Sequence, residues 1–172
     1  MTTRWFQVVY FDDDRIQKTL NAIIFLANPQ EKHSAHITLR GPYQSKNDAD
    51  NHTVNIRGEN LSVFGVGNFF QFNQNTVFLS CGSDHLEKNW WKPHYDYHPH
   101  ITIYDGESSS FAKKIYDSLN VARLFFSVVA GETKIIKSVS GQKMFDLRLD
   151  VNADRIAAAV GHEIDLSCFT EL

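Results

Sequence analysis

His36-Ile37-Thr38-Leu39 and His100-Ile101-Thr102-Ile103 are two copies of one pattern, an imidazole and a hydroxyl alternating with aliphatic residues. Successive side chains on a strand point to opposite faces. The first copy therefore sets His36, Thr38 and Arg40 on one face and Ile37 and Leu39 on the other. In the second, His98, His100, Thr102 and Tyr104 oppose Ile101 and Ile103. Each strand thus has an apolar side for the core and a polar side for a ligand. One His-x-Thr match would be unremarkable in a chain with 8 histidines. Two, each with aliphatic residues at both alternate positions, mark a functional pair.

Outward from these strands, strand and helix signals alternate. Residues 4–11 are rich in aromatic and β-branched side chains and read as a strand. Asp12, Asp13 and Asp14 supply N-cap and first-turn acids. Ile16, Leu20, Ile23 and Ile24 follow at helical spacing, and Asn28-Pro29 stops that helix. The strand over 35–40 closes at Gly41-Pro42. Residues 53–57, 61–72 and 76–80 read as further strands, the last two joined through Asn73-Gln74-Asn75. A short helix or irregular stretch over 84–92 leads into a strand over 97–104. Gly106 and the serines at 108–110 offer caps for a helix on which Phe111, Ile115 and Leu119 share a face. Strands are expected again over 124–130, 133–139 and 144–151. Asn152 then caps a last helix carrying Ile156 and Val160, with Gly161 as its stop. Strands interleaved with a few helices, with many hairpin signals, predict an α+β fold with antiparallel sheet. Nothing marks a linker, so residues 1–172 read as one domain.

Composition narrows the partners. A chain of 172 residues is long enough to bury a proper core, and 42% hydrophobic with 22% charged residues is ordinary for a globular domain. A formal charge of -3 argues against coating nucleic acid through a basic surface, but a few local cations suffice for a small phosphate ligand. Cys81 and Cys168 form neither a disulfide framework nor a Cys-x-x-Cys zinc site and read as buried thiols. The start, Met1-Thr2-Thr3-Arg4-Trp5, has no apolar signal stretch, and no apolar run approaches a membrane span. The expectation is a cytoplasmic protein that does not engage a membrane.

At this point the sequence resembles the two-histidine (2H) phosphoesterases, which include bacterial RNA 2′,3′-cyclic phosphodiesterases and RNA-ligase-like proteins. Their signature is two His-h-Thr/Ser-h motifs, h being apolar, and both are intact here. His98-Pro99-His100-Ile101-Thr102 is similar to the family's second motif with its preceding His-Pro. Phe64-Gly65-Val66-Gly67-Asn68-Phe69-Phe70 followed by Val77-Phe78-Leu79 looks like its intermotif hairpin, and the strand stretches at 135–138 and Phe145-Asp146-Leu147 like its closing strands. The resemblance implies two pseudo-symmetric lobes of antiparallel sheet with flanking helices and an active-site groove between the lobes. The stretch between the histidines looks short for the family, as if a loop were trimmed, which bears on substrate.

The implied chemistry suits the residues. Histidine titrates near neutrality, so one imidazole can act as base and the other as acid on a phosphodiester. Thr38 and Thr102 would hold phosphate oxygens in line. The scheme calls for no metal and no cofactor. The expected ligand is a nucleotide or short oligonucleotide: a 2′,3′-cyclic phosphate, a 2′-5′ linkage or a cyclic nucleotide messenger. No obligatory protein partner is inferred. Arg40, Tyr43, Tyr104 and His98 are candidate substrate-binding residues beside the motifs, and Trp90, Trp91 and Tyr97 a candidate stacking wall.

Two rivals remain in view. His33, His36, His94, His98 and His100 are numerous enough for a metal site, although no carboxylate stands at a recognised metal spacing. A non-catalytic module of the same fold could sequester a nucleotide. Gly65-x-Gly67 lacks the third glycine and the βαβ context of a dinucleotide loop.

Overall fold

Alternating aromatic and β-branched residues make the first strand, β1 (Thr3–Phe11), of a computed structural model that describes residues 3–28, 31, 33–92 and 96–139. The Asp13 carboxylate accepts from the Arg15 and Ile16 amides at 2.8 and 3.1 Å and so starts α1 (Asp14–Ala27). There follow β2 (Ile37–Tyr43), α2 (Lys46–Asn51), β3 (Asn60–Asn68), a single 3₁₀ turn at Phe70–Phe72, β4 (Thr76–Gly82), α3 (Asp84–Asn89), β5 (His100–Asp105), α4 (Ser109–Val121) and β6 (Phe125–Val139). Ser45, Ser83 and Ser108 cap α2, α3 and α4, each hydroxyl accepting from the amide three residues on.

The six strands pair antiparallel throughout and close into a ring in the order β1-β2-β5-β4-β3-β6. The fold is α+β on antiparallel sheet, as the sequence pattern predicts. Alternation divides the sheet into two faces. Val9, Phe11, Ile37, Leu39, Val77, Leu79, Ile101 and Ile103 join the core with the apolar sides of α1 and α4. Their neighbours Val8, Tyr10, Thr38, Phe78 and His100 are directed to the other face. Among the described residues, no helix is long and apolar enough to cross a membrane.

Local expectations change at several places. β2 does not close at Gly41-Pro42 but runs on to Tyr43, and the strand expected over 97–104 starts only at His100. Residues 53–57 form no strand, because their hydrogen bonds go elsewhere: the Val54 amide donates to the buried Gln7 side chain and the Thr53 hydroxyl to the carbonyls of Ala49 and Asp50. Residues 61–72 do not run on as one strand, since β3 ends at Asn68 and the 3₁₀ turn takes over. The two strands expected over 124–139 are one. Residues Phe125–Val129 of β6 pair with β3, and Ala130 to Val139 pair with β1, which closes the ring. Gly131 allows that handover, as a Cβ there would stand 2.8 Å from the Phe11 carbonyl carbon and 2.9 Å from the Asp12 nitrogen. Lastly, α2 is a helix that the sequence pattern does not announce. The strand and helix expected over 144–161 lie outside the described residues.

Candidate active site

Ile37 of β2 pairs with Ile101 of β5, and both side chains are fully buried. In an antiparallel pair the residues flanking a bridge face each other, so His36 comes to the side of Thr102 and Thr38 to the side of His100. Both imidazole–hydroxyl pairs therefore issue from neighbouring strands on one face of the sheet, opposite the aliphatic pair. The two rings are near enough for the charge of His36 to act on His100.

Each ring is oriented in the same way. His36 Nδ1 lies 2.7 Å from the Ser34 carbonyl, and His100 Nδ1 lies 2.7 Å from the His98 carbonyl. A carbonyl oxygen only accepts, so both Nδ1 atoms carry the hydrogen. Each neutral ring is then left with a free lone pair at Nε2, the form a general base needs. Burial disfavours the charged imidazolium and lowers both pKa values. For His36 the Ser34 carbonyl opposes that shift, His33 adds to it and Glu31 also opposes it. For His100 burial is joined by Lys92, His98 and His36, which outweigh the His98 carbonyl and leave the ring at about 4.

The two histidines have different neighbours. Around His36 stand Tyr10, with ring centroids 6.1 Å apart, and His33 at 6.2 Å. The Lys134 ammonium lies 5.5 Å from the Tyr10 ring, yet burial still raises the Tyr10 hydroxyl. Around His100 stand Phe78 at 5.0 Å, Phe69 at 5.4 Å and His98 at 5.8 Å. Each imidazole thus has another histidine beside it, and a tyrosine joins His36 where two phenylalanines join His100.

The remaining sequence candidates divide. His98 is exposed beside His100, its pKa lowered by burial and by Lys92. Arg40 is held by two backbone carbonyls, its Nε donating to that of Asn89 at 2.8 Å and its Nη1 to that of His52 at 3.3 Å. Tyr43 is buried in a stack with Trp91 at 5.1 Å and His52 at 5.9 Å. Tyr104 leaves the face it was expected to share with His100. A register shift inserts one extra residue in β5, with Val77 opposite Tyr104 but Phe78 opposite Thr102. Tyr104 therefore turns into the core, where its ring meets Phe111 at 5.1 Å. Trp90 and Tyr97 meet edge to face at 5.5 Å, whereas Trp91 packs on Tyr43, so the three rings form no single wall.

Cys81 is buried, and its thiol is pushed well above the ordinary range. Among the described residues, no group of three or more His, Cys, Asp and Glu side chains is arranged to hold a metal ion. Residues that sequence reading passed over are Tyr10, Phe69, Phe78 and Lys92. The even-numbered positions of β1 and β4 would have pointed to Tyr10 and Phe78 once those strands were known to flank the motif strands. No protein-family model matches the chain, and no curated protein matches it in sequence.

Proposed function

We propose that the chain is a metal-independent phosphodiesterase of the two-histidine kind, acting on a nucleotide or short oligonucleotide. The observation that carries this reading is the matched pair His36 and His100. Both rings donate Nδ1–H to the carbonyl two residues back, and both stand beside a threonine on adjoining strands. Two imidazoles with Nε2 free are what an in-line displacement at phosphorus requires: one proton removed, one delivered.

His100 acts as the base. Burial above all keeps it neutral, with the charges of Lys92, His98 and His36 acting in the same direction. His36 acts as the acid: burial lowers its pKa, and the Ser34 carbonyl and Glu31 oppose that lowering. On a 2′,3′-cyclic phosphate, His100 Nε2 takes a proton from water as the water oxygen attacks phosphorus. His36 Nε2–H then protonates the departing ribose oxygen. The anionic phosphate itself favours the imidazolium of His36, so substrate binding helps to load the acid. Thr38 and Thr102 hydroxyls hold the non-bridging oxygens.

In this reading the ring of strands is two pseudo-symmetric lobes with a groove between them. Supporting it, the order β-α-β-α-β occurs twice, as β1-α1-β2-α2-β3 and β4-α3-β5-α4-β6. Exchanging β1 with β4, β2 with β5 and β3 with β6 also returns the same strand ring.

The test is a screen of 2′,3′-cyclic nucleotides, 2′-5′ and 3′-5′ oligonucleotides and cyclic dinucleotides, read by mass spectrometry in the presence of a chelator. Cleavage of at least one class is expected. Tight binding without cleavage would instead make the chain a sequestering module.

A further inference from the structure

The pairing registers carry the imidazole face of the sheet on to β3 and β6. Ser80 of β4 is opposite His100, so their side chains share a face. Gly82, two residues on, lies on that face too, and Ser62 of β3 is opposite Gly82. Phe64 is two residues past Ser62, and Phe125 of β6 is opposite Phe64. A path thus leads from His100 over two small residues to a pair of phenylalanines.

Both rings are held at the surface. Phe64 is 48% exposed and Phe125 46%, whereas Phe78, Phe111 and Phe126 are buried. Each ring rests on a glycine. A Cβ at Gly82 would stand 2.8 Å from Phe64 Cζ, and one at Gly65 would stand 3.2 Å from Phe125 Cζ. Gly65 has a φ of 102°, where a side chain would be strained, so the backbone beneath Phe125 stays bare. Tyr97 borders the pair. Its hydroxyl is 3.9 Å from the same Gly82 position and donates to the Ser83 carbonyl at 3.2 Å. Both phenylalanines line a cavity of about 510 Å³ together with Asn120 and Arg123. Apolar rings with a few polar side chains, enclosing a volume of this size, are the make-up of a ligand pocket.

Position decides which ligand the rings can take. On the phosphodiesterase reading, the scissile phosphorus lies between the imidazoles of β2 and β5. Phe64 and Phe125 stand two and three strands beyond β5, which is about 10 Å or more of sheet. A base tied to that phosphate through its own ribose falls short of them. The next nucleoside of an oligonucleotide spans the gap, its ribose passing over Ser80 and Gly82. Every base has a π face, so a ring shelf binds it with little choice of sequence. Asn120 and Arg123 add hydrogen-bond donors for a base edge.

We propose that Phe64 and Phe125 form a nucleobase subsite, and that the substrate is an oligonucleotide of at least two nucleosides with one base stacked there. The inference rests on the reading of the two histidines as a phosphodiester site, and its test separates the two.

The probes are diadenylates linked 3′-5′ and 2′-5′, with 5′-AMP as the control, each titrated into the full chain. At least one diadenylate should bind about tenfold or more tightly than 5′-AMP. Phe64→Leu and Phe125→Leu keep an apolar side chain but remove the ring. Each should weaken diadenylate binding by about fivefold or more and leave the 5′-AMP affinity unchanged. In the wild-type chain, the Phe64 and Phe125 ring resonances should move with diadenylate and stay with 5′-AMP, a readout that needs no folded variant. Diadenylate affinity unchanged in both Leu variants, no preference over 5′-AMP, or ring resonances indifferent to diadenylate would each overturn the proposal. So would Leu variants that lose only self-association, which would make the pair a contact between copies of the chain. Ring-dependent diadenylate binding without cleavage would uphold the subsite while removing the phosphodiesterase reading. Cleavage at an unchanged KM in both variants would do the reverse.

Discussion

Ile37 and Ile101 pair across β2 and β5 with neither side chain exposed, and this contact sets the two imidazole-bearing residues next to them in register. The aliphatic positions of the motifs therefore have a role distinct from that of the polar ones. They fasten the two strands from the core side, while the histidines and threonines use the opposite face. Antiparallel pairing about that bridge gives each histidine the other motif's threonine as its cross-strand neighbour. The unit of the site is then one cross-strand quartet, more than two separate tetrapeptides.

On the proposed mechanism, removing either imidazole removes one of two proton transfers. His36→Ala and His100→Ala should each lower kcat by about 10²–10⁴-fold or more. Thr38→Ala and Thr102→Ala should cost less, because positioning is shared with other donors. Steady-state kinetics with thermal melts of each variant provide the check. Full activity in either folded histidine variant would refute the mechanism.

The pH dependence follows from the directions of the two shifts. With His100 at about 4 as base and His36 below its ordinary 6.5 as acid, kcat/KM should rise through the first value and fall through the second. Its maximum therefore belongs on the acid side of 6.5. In the complex, the phosphate charge favours both imidazolium forms, so the kcat profile should lie at higher pH than the kcat/KM profile. A kcat/KM that keeps climbing beyond neutrality would contradict the assignment.

Stability should follow the same groups. The His100 pKa is about 4 in the folded chain and 6.5 as the ordinary value. Between these limits the unfolded chain binds more protons, so stability is fully present above about 6.5 and is lost as pH falls toward 4. His36 contributes in the same direction. Urea denaturation at pH 7.5 and 5.5 should give a lower midpoint at the acid pH, and His100→Asn should reduce the difference. Equal differences in the two proteins would show that His100 does not titrate as described.

The sequence displayed the motif faces because alternation is local: Ile37, Leu39, Ile101 and Ile103 are buried where a period of two puts them. It displayed α1 and α4 through their caps and apolar spacing for the same reason. Three kinds of information were not local. The extra residue that turns Tyr104 inward depends on the register of β4 against β5. The engagement of Arg40 depends on carbonyls contributed by Asn89 and His52, from separate parts of the chain. The placement of Lys92 depends on Trp91 occupying an edge of β2 that β5 vacates. Spacing along one strand carries none of these.

Phe78 supplies a last test, because it supports His100 without being able to touch a proton. Its ring lies 5.0 Å from His100 and from His98, and it is nearly fully buried. Gly67 on the adjoining strand β3 is directly opposite Phe78, and a Cβ there would collide with the ring. Gly67→Ala must therefore displace Phe78, and the displaced ring presses on both histidines. Overpacking of this kind costs about 1–3 kcal/mol of stability. The variant should remain folded, show shifted His98 and His100 ring resonances, and lose kcat more than substrate affinity, since the base is misaligned while the phosphate contacts persist. Loss of stability with wild-type kinetics and unmoved histidine resonances would mean that Phe78 fills space and does not orient the base.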